Sequence, residues 1–307
     1  MRDDKKDKSS IECRTNCITE PVLIPRISGL KLKILCLLRY LIQIFPIEHG
    51  KGKVAVLFSK IFLPKGKLCV PLITGAKMVL DFNKRYEIAM CFDIFADYIS
   101  ELQVRLLRPG DIFVDCGANV GYYSFLAAPI VTKTGKVIAI DVNPYCIERM
   151  EESKAAGSHD NVEIKCIAIG EKPGQLQFNI ADDPVYSSFS DTNRLGWTST
   201  KETIDVKVEP LDRILGNVCT ESDRQIRLLK LDVEGAEVMA MLGAKKLLET
   251  RKIDYIYVEL HPVQLKVMGH EVDEFHSVMR GYGYHPNKTR SPYILIYSAP
   301  DVATYEV

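Results

Sequence analysis

VDCGANVGYYS, residues Val114 to Ser124, is the strongest local signal in the chain. An apolar run ends in Asp115, a glycine-rich turn follows, and a helix begins near Gly121. In such a strand–turn–helix, backbone N–H groups and a helix N-terminus face a ligand at the carboxyl end of the strand. Gly117 and Gly121 let the backbone approach that ligand with no β-carbon in the way. The turn is not a dinucleotide fingerprint, because Asn119 and Tyr122 break Gly-x-Gly-x-x-Gly, and no Gly-Lys is followed by Ser or Thr as in a Walker loop. An acid ahead of Gly-x-Asn-x-Gly suits the amino and carboxylate ends of an amino-acid moiety better than a pyrophosphate.

The next apolar run, 137–141, ends in Asp141, 26 residues after Asp115. A carboxylate there can accept hydrogen bonds from both ribose hydroxyls of an adenosyl group. Asn143-Pro144 then opens a helix, with the proline in the first turn. The turn alone is a weak motif, but the turn, the ribose acid and the βαβ setting together point to an adenosyl ligand.

Outward from this unit, β-branched apolar runs at 112–116, 137–141, 162–169, 228–233 and 255–260 read as buried parallel strands. Helices at 122–128, 145–156 and 238–250 alternate with them, which predicts a mostly parallel sheet covered by helices. A strand at 76–82 and a helix at 94–107 precede the core, and Pro109-Gly110-Asp111 turns the chain into it. Near the end, 272–280 reads as a helix and 293–297 as an antiparallel edge strand. A hairpin of 175–180 with 203–208 brackets a long polar loop, 182–201, which contains Tyr186, Ser187, Ser188 and Trp197 and suits a lid over an acceptor.

LLKLDVEGAEVMAMLGAKKLL, residues 228 to 248, delivers Asp232 and Glu234 to the carboxyl edge of the sheet, with Glu237 one turn into the next helix. The strand YIYVELHP delivers Glu259 and His261 to the same edge. Five ionisable groups beside a nucleotide crevice form a candidate chemical centre of His261, Asp232 and Glu234. Glu237 also reads simply as a residue balancing the helix dipole, and Glu259 as a partner for a lysine. His261 is the expected general base, since an unperturbed imidazole with a pKa of about 6.5 is mostly neutral at pH 7. Alternatively, Asp232 and Glu234 bind Mg²⁺, a hard ion that favours carboxylate oxygens. The sequence leaves both open and commits no residue to a metal.

VDCGANVGYYS, IAIDVNP, LKLDVEGAE and VELHP together resemble the FkbM-type methyltransferases, class I enzymes that use S-adenosylmethionine, over about residues 72–297. The resemblance implies a Rossmann-like α/β sheet, mostly parallel with one antiparallel edge strand. It implies that Asp115, Gly117, Asn119 and Gly121 hold the methionine part of the cofactor and Asp141 its ribose. The family often has Glu at the ribose position. It further implies O-methylation of a hydroxyl, often on a sugar or glycan precursor. Two readings from other classes stand beside it: a non-catalytic adenosyl-binding module, and an NAD-dependent oxidoreductase, which the missing glycine fingerprint disfavours.

Forty basic and forty acidic residues cancel, so no global field draws nucleic acid, and a small-molecule or glycan acceptor is the expected partner. Nine scattered cysteines without a Cys-x-x-Cys pair fit free thiols, Cys116 and Cys166 among them, in a reducing, cytoplasmic setting. Residues 1–71 read as an N-terminal extension to a 72–307 domain: a charged tail, then an apolar stretch at 30–45 with Leu30, Ile34, Leu37, Leu38, Leu41 and Phe45 on one helical face. The stretch is interrupted by Lys31, Lys33 and Arg39 and falls short of the roughly 20 apolar residues of a spanning helix. It reads either as a helix docked on its own domain or, with its basic flanks, as one lying on a membrane surface.

Overall fold

The computed structural model describes residues 24–44, 51–94, 98–181, 200–220, 224–287 and 291–304. Two helices, α1 (Gly29–Ile44) and α2 (Lys51–Phe62), precede a hairpin of β1 (Lys67–Pro71) and β2 (Lys77–Asp81), and then α3 (Arg85–Cys91) and α4 (Tyr98–Leu106). The alternating part follows as β3 (Ile112–Cys116), α5 (Tyr122–Val131), β4 (Lys136–Asp141), α6 (Pro144–Gly157) and β5 (Val162–Cys166). A side sheet comes next from β6 (Ala168–Ile169), β7 (Gly174–Ala181) and β8 (Thr200–Glu209). The chain returns through α7 (Leu211–Thr220), β9 (Ile226–Leu231), α8 (Glu237–Leu242), α9 (Lys245–Glu249) and β10 (Ile253–Glu259). It closes with α10 (Pro262–Val267), α11 (Val272–Gly281), β11 (His285–Pro286) and β12 (Ile294–Ser298).

The seven-stranded sheet has the order β11-β12-β10-β9-β3-β4-β5. The five strands β10, β9, β3, β4 and β5 run parallel, and β12 lies antiparallel on β10. Strand side chains alternate between faces. Phe113, Val137 and Leu228 therefore enter one core with Leu35 of α1, Leu102 of α4 and Phe125 of α5. Val114, Ile138 and Leu229 enter the other with Leu211, Val238 and Phe275. Both faces are covered, which is why these strands read as continuous apolar runs. From β3 the chain proceeds outward to β4 and β5, then crosses back to β9 on the other side. This reversal opens the crevice of a doubly wound sheet at the carboxyl ends of β3 and β9.

The five parallel strands and the antiparallel strand near the edge are as expected, and the paired β7 and β8 match the expected hairpin, with Gln175 opposite Lys207. Several boundaries differ. The run 162–169 splits, with β5 in the main sheet and β6 beside β8. The helix expected over 238–250 breaks at Gly243 and Ala244, and at 243 only glycine fits, since a β-carbon there would lie 2.2 Å from Gly170 O. Cys166, expected as a free thiol, is disulfide-bonded. The division between residues 71 and 72 falls inside the β1–β2 hairpin, whose strands pair along their whole length. Leu35, Leu38 and Ile42 of α1 also belong to the same core as Phe113. Helix α1 thus packs into the domain's core, in line with the docked-helix reading. The loop expected as a lid lies, through residue 199, outside the described residues.

Candidate active site at the carboxyl edge

Strand β3 ends at Cys116 and the chain turns through Gly117 (φ +76°), Asn119 (φ 51°) and Gly121 (φ 87°) into α5. The turn satisfies itself. The amides of Gly117 and Ala118 donate to Ile140 O, that of Asn119 to Asp141 Oδ2, that of Val120 to Asn119 Oδ1, and that of Gly121 to Ala118 O. These five amides are all spent within the protein. Gly117 has another reason to be glycine. A β-carbon there would lie 1.7 Å from Asp232 O, so the β3 turn and the β9 loop interlock at this point. Asp232 N also donates to Cys116 O at 3.1 Å. At Gly121 a β-carbon would come within 2.9 Å of Phe125 and Met150 side-chain atoms, so this glycine seats α5 against α6.

Asp141 ends β4. Its Oδ1 accepts from the amides of Val142 and Asn143, and its Oδ2 from that of Asn119. A carboxylate has about four lone-pair positions, so Oδ2 keeps one. That position is open to one further donor. Burial pushes its pKa up to about 6 against the pull of the three amides, which leaves it ionised at neutral pH. Asn143 accepts from Tyr145 N at 3.1 Å and caps α6, whose first residue is Pro144, as the sequence suggested.

Asp115 is fully buried beneath the turn. Its Oδ2 accepts from Ser124 Oγ at 2.6 Å, and its Oδ1 lies 3.3 Å from Lys230 Nζ. Lys230 Nζ also donates to Gly117 O at 3.0 Å, faces Asp232 Oδ2 at 3.3 Å, and stands over the Tyr123 ring. Burial alone would lower its pKa, yet Asp232 and Asp115 outweigh burial and raise it, so the ammonium persists. Sequence reasoning passed over Lys230. The available signal was a lysine in the apolar run LLKL of a strand covered on both faces, a place that tolerates a charge only when it is paired.

Beyond Asp232, Glu234 adopts φ 51° and Gly235 φ 102°, and the chain enters α8 at Glu237. A non-glycine residue in the left-handed region is uncommon and concentrates at functional sites. Glu237 is fully buried; its Oε1 accepts from Gly235 N at 3.0 Å and lies 2.9 Å from His261 Nδ1. It is thus more than a balance for the helix dipole. The other ring nitrogen of His261 faces Asp232 Oδ1 at 3.7 Å and Glu234 Oε1 at 3.8 Å. Gln264 Nε2 steadies Glu234 Oε2 at 2.9 Å. His261, Asp232 and Glu234, distant in sequence, therefore meet at one edge of the sheet.

The electrostatics correct the expected neutral base. Burial disfavours a charged ring, but the Glu237 hydrogen bond and the charges of Glu234 and Asp232 prevail, and the His261 pKa rises to about 9. Burial raises Glu234 to about 7, with the neighbouring carboxylates adding to it and His261 opposing it. Glu259 is also raised, by burial and then by Asp232. A donor atom from each of Asp232, Glu234 and His261 lies within 4.8 Å of the other two, a spacing that a cation can gather. A cleft of about 350 Å³, lined in part by Ile73, Thr74, Asp93 and Gln103, lies beside α4 and α5, away from this cluster.

The family description "Methyltransferase FkbM domain" matches residues 115–286, more than half of the chain. The chain belongs to the FkbM methyltransferase family. An FkbM domain is that of an S-adenosylmethionine-dependent methyltransferase. The arsenite methyltransferase of Halobacterium salinarum is 34% identical over 79 residues, 26% of this chain and 19% of that protein. The protein-L-isoaspartate O-methyltransferase 2 of Archaeoglobus fulgidus is 41% identical over 58 residues, 19% of this chain and 26% of that protein. The FkbM chain thus spans about a quarter or less of the length of these curated relatives. Among solved structures, a SAM-dependent methyltransferase from Aquifex aeolicus is similar at TM-score 0.37 and 14% identity, covering 66% of this chain and 88% of that one. A SAM-dependent O-methyltransferase from Thermotoga maritima is similar at TM-score 0.36 and 14% identity, covering 68% of this chain and 66% of that one.

Proposed function

We propose that this protein transfers the methyl group of S-adenosylmethionine to a hydroxyl oxygen, on a sugar or glycan precursor as the family resemblance implies. The observation that carries the reading is the setting of His261. Glu237 holds one ring nitrogen, and Asp232 and Glu234 face the other, at the sheet edge interlocked with the glycine turn. S-adenosylmethionine, when bound, supplies a sulfonium methyl that an oxygen nucleophile takes by in-line displacement. A sugar hydroxyl is a poor nucleophile at neutral pH and gains from a group that takes its proton or lowers its pKa. The Glu234 carboxylate, with a pKa of about 7, takes that proton beside the charged His261 ring, while buried Glu237 and Gln264 hold His261 and Glu234 in register. Asp141 receives one ribose hydroxyl.

A second reading rests on the same cluster. Two carboxylates and an imidazole whose far nitrogen is held by a buried carboxylate form a donor set suited to a divalent cation such as Mg²⁺. The cation would lower the hydroxyl's pKa, with Asp232, Glu234 and His261 as its ligands. Methyl-labelled S-adenosylmethionine, incubated with a panel of sugars and glycolipids and followed by mass spectrometry, tests both readings. Label should appear in an alkali-stable methyl ether. His261→Ala should lower kcat by about 10²–10⁴-fold with little change in cofactor affinity. Chelator should leave turnover intact in the first reading and abolish it, restorably by Mg²⁺, in the second. Near-wild-type turnover in both His261→Ala and Asp232→Asn would remove the cluster from the chemistry.

A further inference from the structure

A surface helix normally turns a polar face to water and an apolar stripe to the core. Helix α1 is apolar on both sides. Leu35, Leu38 and Ile42 are buried, while Leu30, Leu37, Tyr40, Leu41 and Ile44 point away from them, Leu30 with 73% of its surface exposed. Helix α2 packs beside it and exposes Leu57, Ile61 and Phe62, Ile61 to 62%. These eight residues are more than half of the 14 large exposed apolar side chains among the described residues, gathered on two adjacent helices. An apolar concentration of this kind marks an interaction surface.

Charge identifies the partner. The chain as a whole is neutral, yet residues 24–67 carry nine Lys and Arg against one acid, Glu48. Lys33 shares the outward face of α1, and Lys53 and Lys60 that of α2, and all three are exposed. We infer that α1 and α2 together form a docking face for an anionic lipid bilayer, with the leucine, isoleucine and aromatic side chains in the headgroup boundary and the lysines on lipid phosphates and carboxylates. A second copy of the chain is the poorer occupant, since a symmetric contact would bring two lysine-rich faces together. No helix among the described residues is long and apolar enough to cross a membrane, so the pair lies on the surface.

Helix α1 is held on the domain by side-chain contacts. Arg39 of α1 donates to Cys91 O at the end of α3. Asp93, two residues on, accepts from Tyr122 OH at the first residue of α5, beside the glycine turn. These two contacts anchor α1 on the end of α3 and, through Asp93, on the start of α5. The inference is independent of the methyl-transfer reading.

The test is sedimentation of the full chain with vesicles of phosphatidylcholine alone or mixed with phosphatidylserine. Binding should be strong only to the mixed vesicles and should fall as salt rises. The double variant Leu37→Asp/Ile61→Asp, altered only at exposed positions, should bind them at least about tenfold more weakly, a loss of about 1.4 kcal/mol or more, while its melting temperature and S-adenosylmethionine affinity stay at the wild-type values. Absence of vesicle binding, or equal binding by wild type and variant, would overturn the proposal. So would a dimeric mass in solution that Leu37→Asp/Ile61→Asp converts to a monomer, because the face would then belong to a second copy.

Discussion

Gly117 and Asp232 occupy one space: a β-carbon on residue 117 would lie 1.7 Å from the Asp232 carbonyl oxygen. The glycine turn and the acidic loop are thus a single packed unit. Gly117→Ala should disturb both. The left-handed backbone alone costs a non-glycine residue about 1–2 kcal/mol, and the overlap adds to it. A fall in melting temperature together with at least tenfold weaker S-adenosylmethionine binding is expected in calorimetry. Gly174→Ala, with nothing near the added carbon, should change neither. Unaltered binding by Gly117→Ala would separate the two loops.

Lys230 holds that unit together electrostatically, from 3.3 Å to Asp115 and 3.3 Å to Asp232. Lys230→Met keeps most of the side-chain volume but strands a fully buried carboxylate at Asp115. The expected loss is about 3–5 kcal/mol in urea unfolding. Adding Asp115→Asn should recover part of it, giving a non-additive double-mutant cycle. Strict additivity would show that the lysine and Asp115 do not act as a pair.

Asp141 makes cofactor binding depend on pH. Its folded pKa of about 6, raised by burial above the ordinary 3.8, means that the folded protein binds this proton more tightly than the unfolded chain. Any stability from the protonated form is complete below the unfolded value and is withdrawn as pH rises through 3.8 to about 6. Cofactor affinity runs the other way, because the ionised form is the one that accepts the ribose hydroxyl and the three amides. Titrations should give constant affinity above about pH 7 and up to about tenfold weaker binding for each pH unit below about 6. In Asp141→Asn the affinity should be lower and this dependence lost. A wild-type profile flat to about pH 5 would take the ribose role from Asp141.

The parallel sheet was legible because its strands are buried on both faces, so Ile112–Cys116 and Ile226–Leu231 carry the signal in composition alone. His261, Asp232 and Glu234 were legible as strand-end residues, since a parallel sheet collects such ends at one edge. What escaped depends on contacts between segments distant in the sequence. The reason for Gly117 lies in the carbonyl of residue 232, and the pairing of Lys230 with Asp115 spans two strands. The raised pKa of His261 comes first from its hydrogen bond to Glu237, which local spacing presented as a helix-terminal charge, and then from Glu234 and Asp232. Strand β1 shows no alternation and exists through its pairing with β2. The apolar outward face of α1 merges in sequence with its buried face, and only exposure tells Leu37 from Leu38.

Calorimetric titration of the full chain with S-adenosylmethionine, and in parallel with NAD, tests the central claim most directly, because it needs no knowledge of the acceptor. The account predicts one-to-one, saturable binding of S-adenosylmethionine and none of NAD. Asp141→Ala should weaken the former by about 1.5–3 kcal/mol, the scale of a hydrogen bond to a charged group. Binding of NAD in its place, or no binding of S-adenosylmethionine by a folded protein, would contradict it.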